Sequence, residues 1–416
     1  MSLAPSWVDS ANRADTDFPL NNLPYGVFSI GGGARHCGVA IGDEVLDLTA
    51  LAGDGHLRAA DPALLAGPSW NAFMARGPGA WLALRGELTA LLSAGAERQA
   101  ALTDYLLPRR SVALHMPFEV SEFTDFYASR HHATNVGTMF RGAESALPPN
   151  WLHMPIGYNG RASSVVPSGT DIRRPWGQLR GDDGPRFAPS ERFDFELELG
   201  AVVGAASRGP LTVAEADAAI FGYVLLNDWS ARDIQAWEYH PLGPFQAKAT
   251  ATTISRWIVT AEALAPFRCA VPTREVPVLR HLEEPHATLF DIALEVDLEC
   301  DGGRTPLTRT TSREMYWSPA QQLAHHATSG CSMNTGDLLG SGTVSGPDRG
   351  NRGSMLELSW NGAEPVETHA GPRSFLEDGD DIVLRGAALG AGYRVGFGVA
   401  RGKLLPALDD PFDRAT

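Results

Sequence analysis

The 416-residue chain has only four cysteines, Cys37, Cys269, Cys300 and Cys331, and no two of them form a C-x-x-C pair. Small secreted domains depend on dense cysteine frameworks, so these scattered thiols exclude a disulfide-stapled scaffold and predict reduced side chains. No apolar run approaches the roughly 18 residues of a membrane span. The opening stretch MSLAPSWVDSANRADTDFP has neither a basic n-region nor an apolar h-region. A soluble, cytoplasmic protein with no membrane partner is expected. Basic residues are also few: 34 Lys and Arg stand against 49 Asp and Glu, a net charge of −15. A polyanion would meet long-range repulsion from such a chain, which argues against nucleic-acid binding. Low-complexity tracts and internal repeats are missing as well.

What remains is an enzyme-like composition, 44% hydrophobic and 20% charged, long enough for two to three domains at roughly one per 100 to 200 residues. Glycines and prolines are scattered and punctuate short stretches whose apolar residues alternate with period two, the strand signal. LPYGVFSI and CGVAIGDEVLDLTAL read as strands broken by GGGARH and GDE turns. LLSAGAERQAALTDYL, residues 91–106, reads as helix from its Ala and Leu content. These describe a small barrel-like N-terminal domain. The stretch 107–122, with two prolines and no sustained period, puts a domain boundary near residue 117.

Beyond it, FDFELELGAVVG (residues 193–204) alternates strictly, with Asp194, Glu196 and Glu198 on one face. Like charges so close raise one another's pKa unless a cation lies between them, so the pattern suggests a metal site; the alternative is an exposed strand with a wet acidic face. GYVLLNDWSARDIQAWEYHPLGP (residues 222–244) reads as an apolar strand turning at Asn227 and Asp228 into a short helix confined by Pro241 and Pro244. Asp228 is either an N-cap or a site carboxylate. The helix offers Arg232 and Gln235 at i, i+3 and Tyr239 four further on, before a Pro-Gly loop leading to Lys248. In TDFYASRHHATNVGTMFRG (residues 124–142), Asp125 lies seven residues before His132, about two helical turns, so both could face one cleft, with Arg141 near the end. His131 and His132 point apart and lack the spacing of a helical zinc site, as do His325 and His326, which read as structural. GSMLELSWNGAEPVE reads as a strand, an Asn361-Gly362 hairpin turn and a second strand. Glu357 then points away from Leu356 and Leu358, ordinarily toward solvent.

The segments TDFYASRHHATNVGTMFRG, NWLHMPIGYNGRASSVVPSGT, FELELGAVVG, VLLNDWSARDIQAWEYHPLGPF, LLGSGTVSGP and GSMLELSW together resemble the fumarylacetoacetase family of fumarylacetoacetate hydrolases, which close tyrosine and phenylalanine breakdown. The likeness runs from Asp17 to Leu408. Acylpyruvate hydrolases and related oxo-acid decarboxylases of the wider superfamily do not have this long N-terminal domain. The resemblance implies a β-rich α+β fold: a small N-terminal β-barrel domain over 1–117 and a large mixed β-roll catalytic domain over 118–416. It implies a metal-dependent hydrolase that cleaves a C–C bond of a 1,3-diketo acid by a His–Glu-activated water, and a homodimer.

Carried over residue by residue, the family's metal ligands fall on Asp125, Glu196, Glu198 and Asp228. An all-oxygen set suits Mg²⁺ or Ca²⁺, whereas zinc or non-haem iron calls for histidine or thiolate. The base falls on His132, since the family's SR-x-H-AT pattern leaves His131 variable, and Glu357 would orient it. Arg232, Gln235 and Lys248 match oxyanion and substrate positions; Tyr127, Arg141, Tyr158, Tyr239 and Thr343 match residues that hold substrate. Asn159 departs from the family's YHGR, which touches fine binding detail only. A non-catalytic metal-binding module would not need His132 and Glu357. An oxidoreductase would need His-rich metal ligands or a G-x-G-x-x-G loop, and GGGARH lacks that spacing.

Overall fold

A computed structural model describes residues 2–410 and 412–413. Tyr25–Ser29, Arg35–Ile41 and Glu44–Asp47 are strands, as expected, and pair as an antiparallel meander; the second begins at Arg35 inside the expected turn, and the end of CGVAIGDEVLDLTAL is not strand, because Asp47 caps the helix Leu48–Gly53. The second turn rests on Gly42 at φ +56°, a left-handed conformation that glycine adopts without steric cost. Leu106–Pro108 and Ala113–Leu114 complete a five-stranded sheet. The long helix of this region lies upstream of the expected stretch. It runs over Pro78–Leu92, starts with proline in its first turn and buries Trp81, Leu84, Leu88, Leu91 and Leu92. Residues 91–106 are not one helix because the chain turns after Leu92, with Gly95 at φ +80°, and only Gln99–Leu102 resumes α-helix.

The central sheet is built on Leu197–Val203 paired antiparallel with Ile220–Asp228, and all residues of both strands are buried. Leu338–Gly340 flanks the first, Phe123–Phe126 runs parallel to it, and Gly157–Asn159 lies at that edge. On the other side come Thr252–Ile254 and Val165–Pro167. Burial on both faces is why these strands read as near-continuous apolar runs. Leu199, Ala201, Tyr223 and Leu225 share a core with Leu294, Leu384 and Phe397 of a second five-stranded sheet, whose long hairpin is Asp381–Gly390 and Tyr393–Leu405. Val202, Val224, Leu226 and Leu338 pack the other way, onto Tyr25, Trp70, Phe73 and Trp81. Truncating a core leucine such as Leu226 to alanine would cost about 2–5 kcal/mol. The chain is therefore β-rich, as its alternation suggests, and of the α+β class that the resemblance implies.

Three local expectations need correction. Residues 193–204 are not one strand: Phe193–Asp194 pairs with Ser230–Ala231, and the run resumes at Leu197 against the central sheet. Asp228 ends its strand and caps nothing, since Ala231 precedes the helix Arg232–Glu238. GSMLELSW is not a strand. Ser354 caps the helical turn Met355–Leu358, and Asn361 and Gly362, at φ +57° and +90°, close that turn instead of joining two strands. The four cysteines are free, and no helix among the described residues is long and apolar enough to cross a membrane.

Candidate active site

The break at Phe195 and Glu196 sets up the site. Glu196 N–H donates to the Asn227 side chain at 3.0 Å, and the chain re-enters the sheet so that Leu197 faces Asn227 across the ladder. Asp228 therefore ends beside Glu196 and Glu198. Asp125 stands opposite Gly340 in the parallel pair, and Gly340 in turn faces Gly200. Four ligand atoms, one from each of Asp125, Glu196, Glu198 and Asp228, lie within 4.8 Å of one another, and all four residues are buried. This overturns the wet-face alternative for the acidic strand.

Four carboxylates packed this closely cannot all ionise without help. Burial and then the Asp228 charge push the Asp125 carboxyl up to about 8, and burial with Asp125 raises Glu198 well above its usual range. Glu196 is the exception: burial works against it, but Lys248 and Arg232 hold it below the usual carboxylate range. Asp125 Oδ1 and Glu198 Oε1 are buried and accept no hydrogen bond from the described residues. Gly340 leaves the gap beside them open; a Cβ there would lie 2.7 Å from Asp125 Oδ1 and 2.9 Å from Glu198 Oε2. Unpartnered carboxylate oxygens around a side-chain-free cradle fit a hard divalent cation.

The cluster is ringed by cations. Lys248, one of two lysines in the chain, ion-pairs with Glu196 and, at 2.8 Å, with Asp228. Arg232 donates from Nε to Asp194 Oδ2 at 2.8 Å and from Nη1 to Gln235 Oε1 at 3.1 Å, and its Nη2 lies 2.8 Å from Glu196 Oε1. Tyr158 Oη lies 3.1 Å from a carboxylate oxygen of both Asp125 and Asp228, its one O–H having either as acceptor, and burial together with the charge of Asp228 and Asp125 holds its phenol protonated.

His132 enters from the helix Arg130–Arg141, not from a helix shared with Asp125, which is on a strand; the turn at Tyr127–Ser129 brings both to one cavity. Its Nδ1 lies 2.6 Å from Glu357 Oε2. A carboxylate only accepts, so Nδ1 carries the proton and Nε2 is left free. Glu357 is fully buried, contrary to the solvent-facing expectation, because it lies on the capped helical turn. It also accepts from Asn135, Ser345 and Ser354, each at 2.9 Å. Burial would raise its pKa, yet the charge and hydrogen bond of His132, with Asn135 and Ser345, keep it below the usual range. The Tyr127 ring stands edge-on to His132 at 5.4 Å.

A cavity of about 480 Å³ is lined by Asp125, Tyr127, His132, Arg141, Tyr158, Glu196, Arg232, Gln235, Tyr239, Lys248 and Thr343. Glu198, Asp228 and Glu357 stand behind this wall. Arg141 gives Nε and Nη2 to the Ser145 and Ala146 carbonyls, leaving Nη1 for a ligand. The Thr343 hydroxyl is buried without a partner among the described residues. His131 is half-exposed, 3.4 Å from Glu314, and His325 and His326 lie outside the cavity on the helix Pro319–Ala327. Four residues take roles that the sequence did not assign them: Asp194, seen only as a member of the acidic row, and Asn135, Ser345 and Ser354. Asp194 anchors Arg232 and also accepts from Met355 N–H (2.7 Å) and Leu356 N–H (3.0 Å), tying Arg232 to the turn that bears Glu357. Asn135, Ser345 and Ser354 complete the Glu357 set. Ser354-x-x-Glu357 is a capping-box spacing, the one sequence signal that could have placed Glu357 on a helix.

Comparison with known proteins agrees with the architecture. The family model described as "Fumarylacetoacetase N-terminal" matches residues 21–117, and "Fumarylacetoacetate (FAA) hydrolase C-terminal" matches residues 122–395. The chain is 48% identical over 411 residues to the fumarylacetoacetase of Bos taurus, covering 95% of this chain and 97% of that one. It is 47% identical to the Homo sapiens fumarylacetoacetase at the same coverages. The Arabidopsis thaliana fumarylacetoacetase is 45% identical, covering 98% of this chain and 100% of its own. Among solved structures, a fumarylacetoacetate hydrolase from psychrophilic Exiguobacterium antarcticum superposes with a TM-score of 0.53 at 17% identity, covering 92% of this chain and 99% of that one. Maleylpyruvate hydrolase from Sphingobium sp. SYK-6 gives 0.51 at 19% identity, covering 92% and 100%. These last two likenesses concern the fold alone.

Proposed function

The chain belongs to the fumarylacetoacetase family, and from that membership we propose that it hydrolyses fumarylacetoacetate to fumarate and acetoacetate, as a step of tyrosine and phenylalanine catabolism. The observation that carries the reading is a buried four-carboxylate cradle and a His–Glu pair reaching one cavity. The substrate is a 1,3-diketone with a carboxylate at each end. Water adds to the carbonyl next to the fumaryl double bond, the C–C bond to the neighbouring methylene breaks, and that carbon takes a proton to become the methyl group of acetoacetate.

His132 is assigned as base: Nε2 takes the proton from water and returns it to the departing carbon. Glu357 fixes the tautomer and stabilises the imidazolium that forms between these transfers. Arg232, Gln235 and Lys248 are assigned to the oxyanion of the tetrahedral intermediate, where positioned donors and charges stabilise what develops in the transition state. Arg141, Tyr127, Tyr158, Tyr239 and Thr343 are assigned to substrate binding, with Arg141 Nη1 suited to a terminal carboxylate. Asp125, Glu196, Glu198 and Asp228 would hold Mg²⁺ or Ca²⁺. Such a cation, when bound, would supply Lewis-acid charge that offsets the negative charge developed as the C–C bond breaks.

The same reading divides the chain into a small-barrel unit over 1–117 and a β-roll catalytic unit over 118–416, and gives it a cytoplasmic location and a homodimeric state. Stripping the purified protein with chelator and restoring Mg²⁺ or Ca²⁺ tests the mechanism. Turnover should vanish and return with the cation; unchanged turnover in chelator would refute it.

A further inference from the structure

The four donors to Glu357 are not shared equally between its oxygens. Oε2 receives His132 Nδ1, Ser345 Oγ and Ser354 Oγ, whereas Oε1 receives Asn135 Nδ2 alone, at 2.9 Å. Asn135 follows His132 by three residues on the helix Arg130–Arg141, so one helix face presents an imidazole and an amide to the same carboxylate. An ionised carboxylate only accepts, so it fixes the amide with its NH₂ toward Glu357. This is the side chain's one hydrogen bond among the described residues. Ser345 and Ser354 also accept backbone N–H groups of their own surroundings. Asn135 is absent from the cavity wall, although its neighbours His132 and Val136 line it.

We infer, building on the His132–Glu357 assignment above, that Asn135 is a positioning residue for the hydrolysis: its amide pins Oε1 so that Oε2 stays in line with His132 Nδ1 and the buried carboxylate stays ionised. Without it, Oε1 is a buried charged oxygen with no donor, and the carboxylate is free to turn about its terminal bond. Asn135 acts through Glu357 and not on the substrate, so kcat should bear the loss while KM does not.

The test compares kcat and KM of cation-loaded Asn135→Ala, Asn135→Asp, Glu357→Gln and the Ala/Gln double variant, each first checked for fold by its melting curve and for cation binding by titration. Groups that orient a functional side chain from behind typically cost about 10- to 100-fold when removed, so Asn135→Ala should lower kcat by about tenfold with KM within about twofold. Asn135→Asp keeps the volume but sets carboxylate against carboxylate, and should cost more than alanine. A purely space-filling amide reverses that order, because aspartate fills the site and alanine does not. In the Glu357→Gln background the alanine change should add little, as expected of residues acting as one unit. If either Asn135 variant folds poorly, the other and the double variant decide. Parental kcat in the Asn135 variants beside a crippled Glu357→Gln overturns this inference and leaves the base assignment standing. Parental kcat in Glu357→Gln itself overturns the base assignment first.

Discussion

Gly340→Ala perturbs the cation cradle by a single methyl group. Gly340 lies in an ordinary strand conformation, so backbone strain plays no part and only the new Cβ matters. That atom would sit 2.7 Å from Asp125 Oδ1, 2.9 Å from Glu198 Oε2 and 3.3 Å from the Phe123 ring. Ordinary contact needs about 3.5 Å, so each carboxylate must retreat by more than half an ångström or the strand must shift. Ligand distances in a metal site tolerate about 0.2 Å. A displacement several times larger should weaken divalent-cation binding by about 10- to 100-fold, or about 1.4–2.7 kcal/mol. Isothermal titration of the stripped protein with Mg²⁺ or Ca²⁺ measures the loss, and the cation concentration for half-maximal turnover should rise by the same factor. Gly200→Ala is the control. The three atoms nearest its Cβ belong to the apolar side chains of Leu338, Val224 and Leu226, so it should lower Tm and leave cation affinity unchanged. A Gly340→Ala protein that binds the cation as the parent does would refute the placement of the ion between Asp125 and Glu198.

Three further outcomes are expected. His132→Ala should lower kcat by about 10²- to 10⁴-fold with cation affinity preserved, whereas His131→Ala, at a half-exposed position, should be mild; equal losses in the two would refute the choice of base. Glu357→Gln removes a charge-assisted hydrogen bond worth about 1.5–3 kcal/mol, so kcat should fall by about 10- to 150-fold, and a double-mutant cycle with His132→Ala should be strongly non-additive. Cation binding near pH 7 should release protons, because Asp125, pushed up to about 8, and Glu198 hold theirs until the ion arrives. The metal-free fold binds protons that the unfolded chain has already lost, so its stability should fall as pH rises from the ordinary carboxylate range toward about 8. Titrations in buffers of different ionisation enthalpy, with melting curves against pH, check both signs.

The alternation in residues 193–204 made the carboxylate row visible, and the apolar strand before Asp228 made its end point visible. Neither could show that the strand breaks at Phe195, because that break depends on Asn227 and Ser230–Ala231 from a distant part of the chain. Nor could alternation separate a wet acidic face from a buried one; that is decided by the layers on both sides of the central sheet. Glu357 was misread for a local reason. Leu-Glu-Leu alternates in a strand and equally well occupies one turn of helix, and the Ser354 cap, the second residue of GSMLELSW, is what selects the helix. Asp194 was seen as a member of the acidic row, but its two roles belong to partners 38 and 161 residues away. Asn135 offered no signal at all, since an asparagine on a helix face is ordinarily solvated. The family resemblance supplied the pairing of His132 with Glu357, and the 2.6 Å hydrogen bond supplies its geometry.

The most direct test follows the diketone absorbance of fumarylacetoacetate with purified, cation-loaded protein while the released acids are identified. Loss of the absorbance is expected, with one fumarate and one acetoacetate formed for each diketone consumed. Persistence of the absorbance, or a product in which the C–C bond between the two halves is intact, would contradict the proposed hydrolysis.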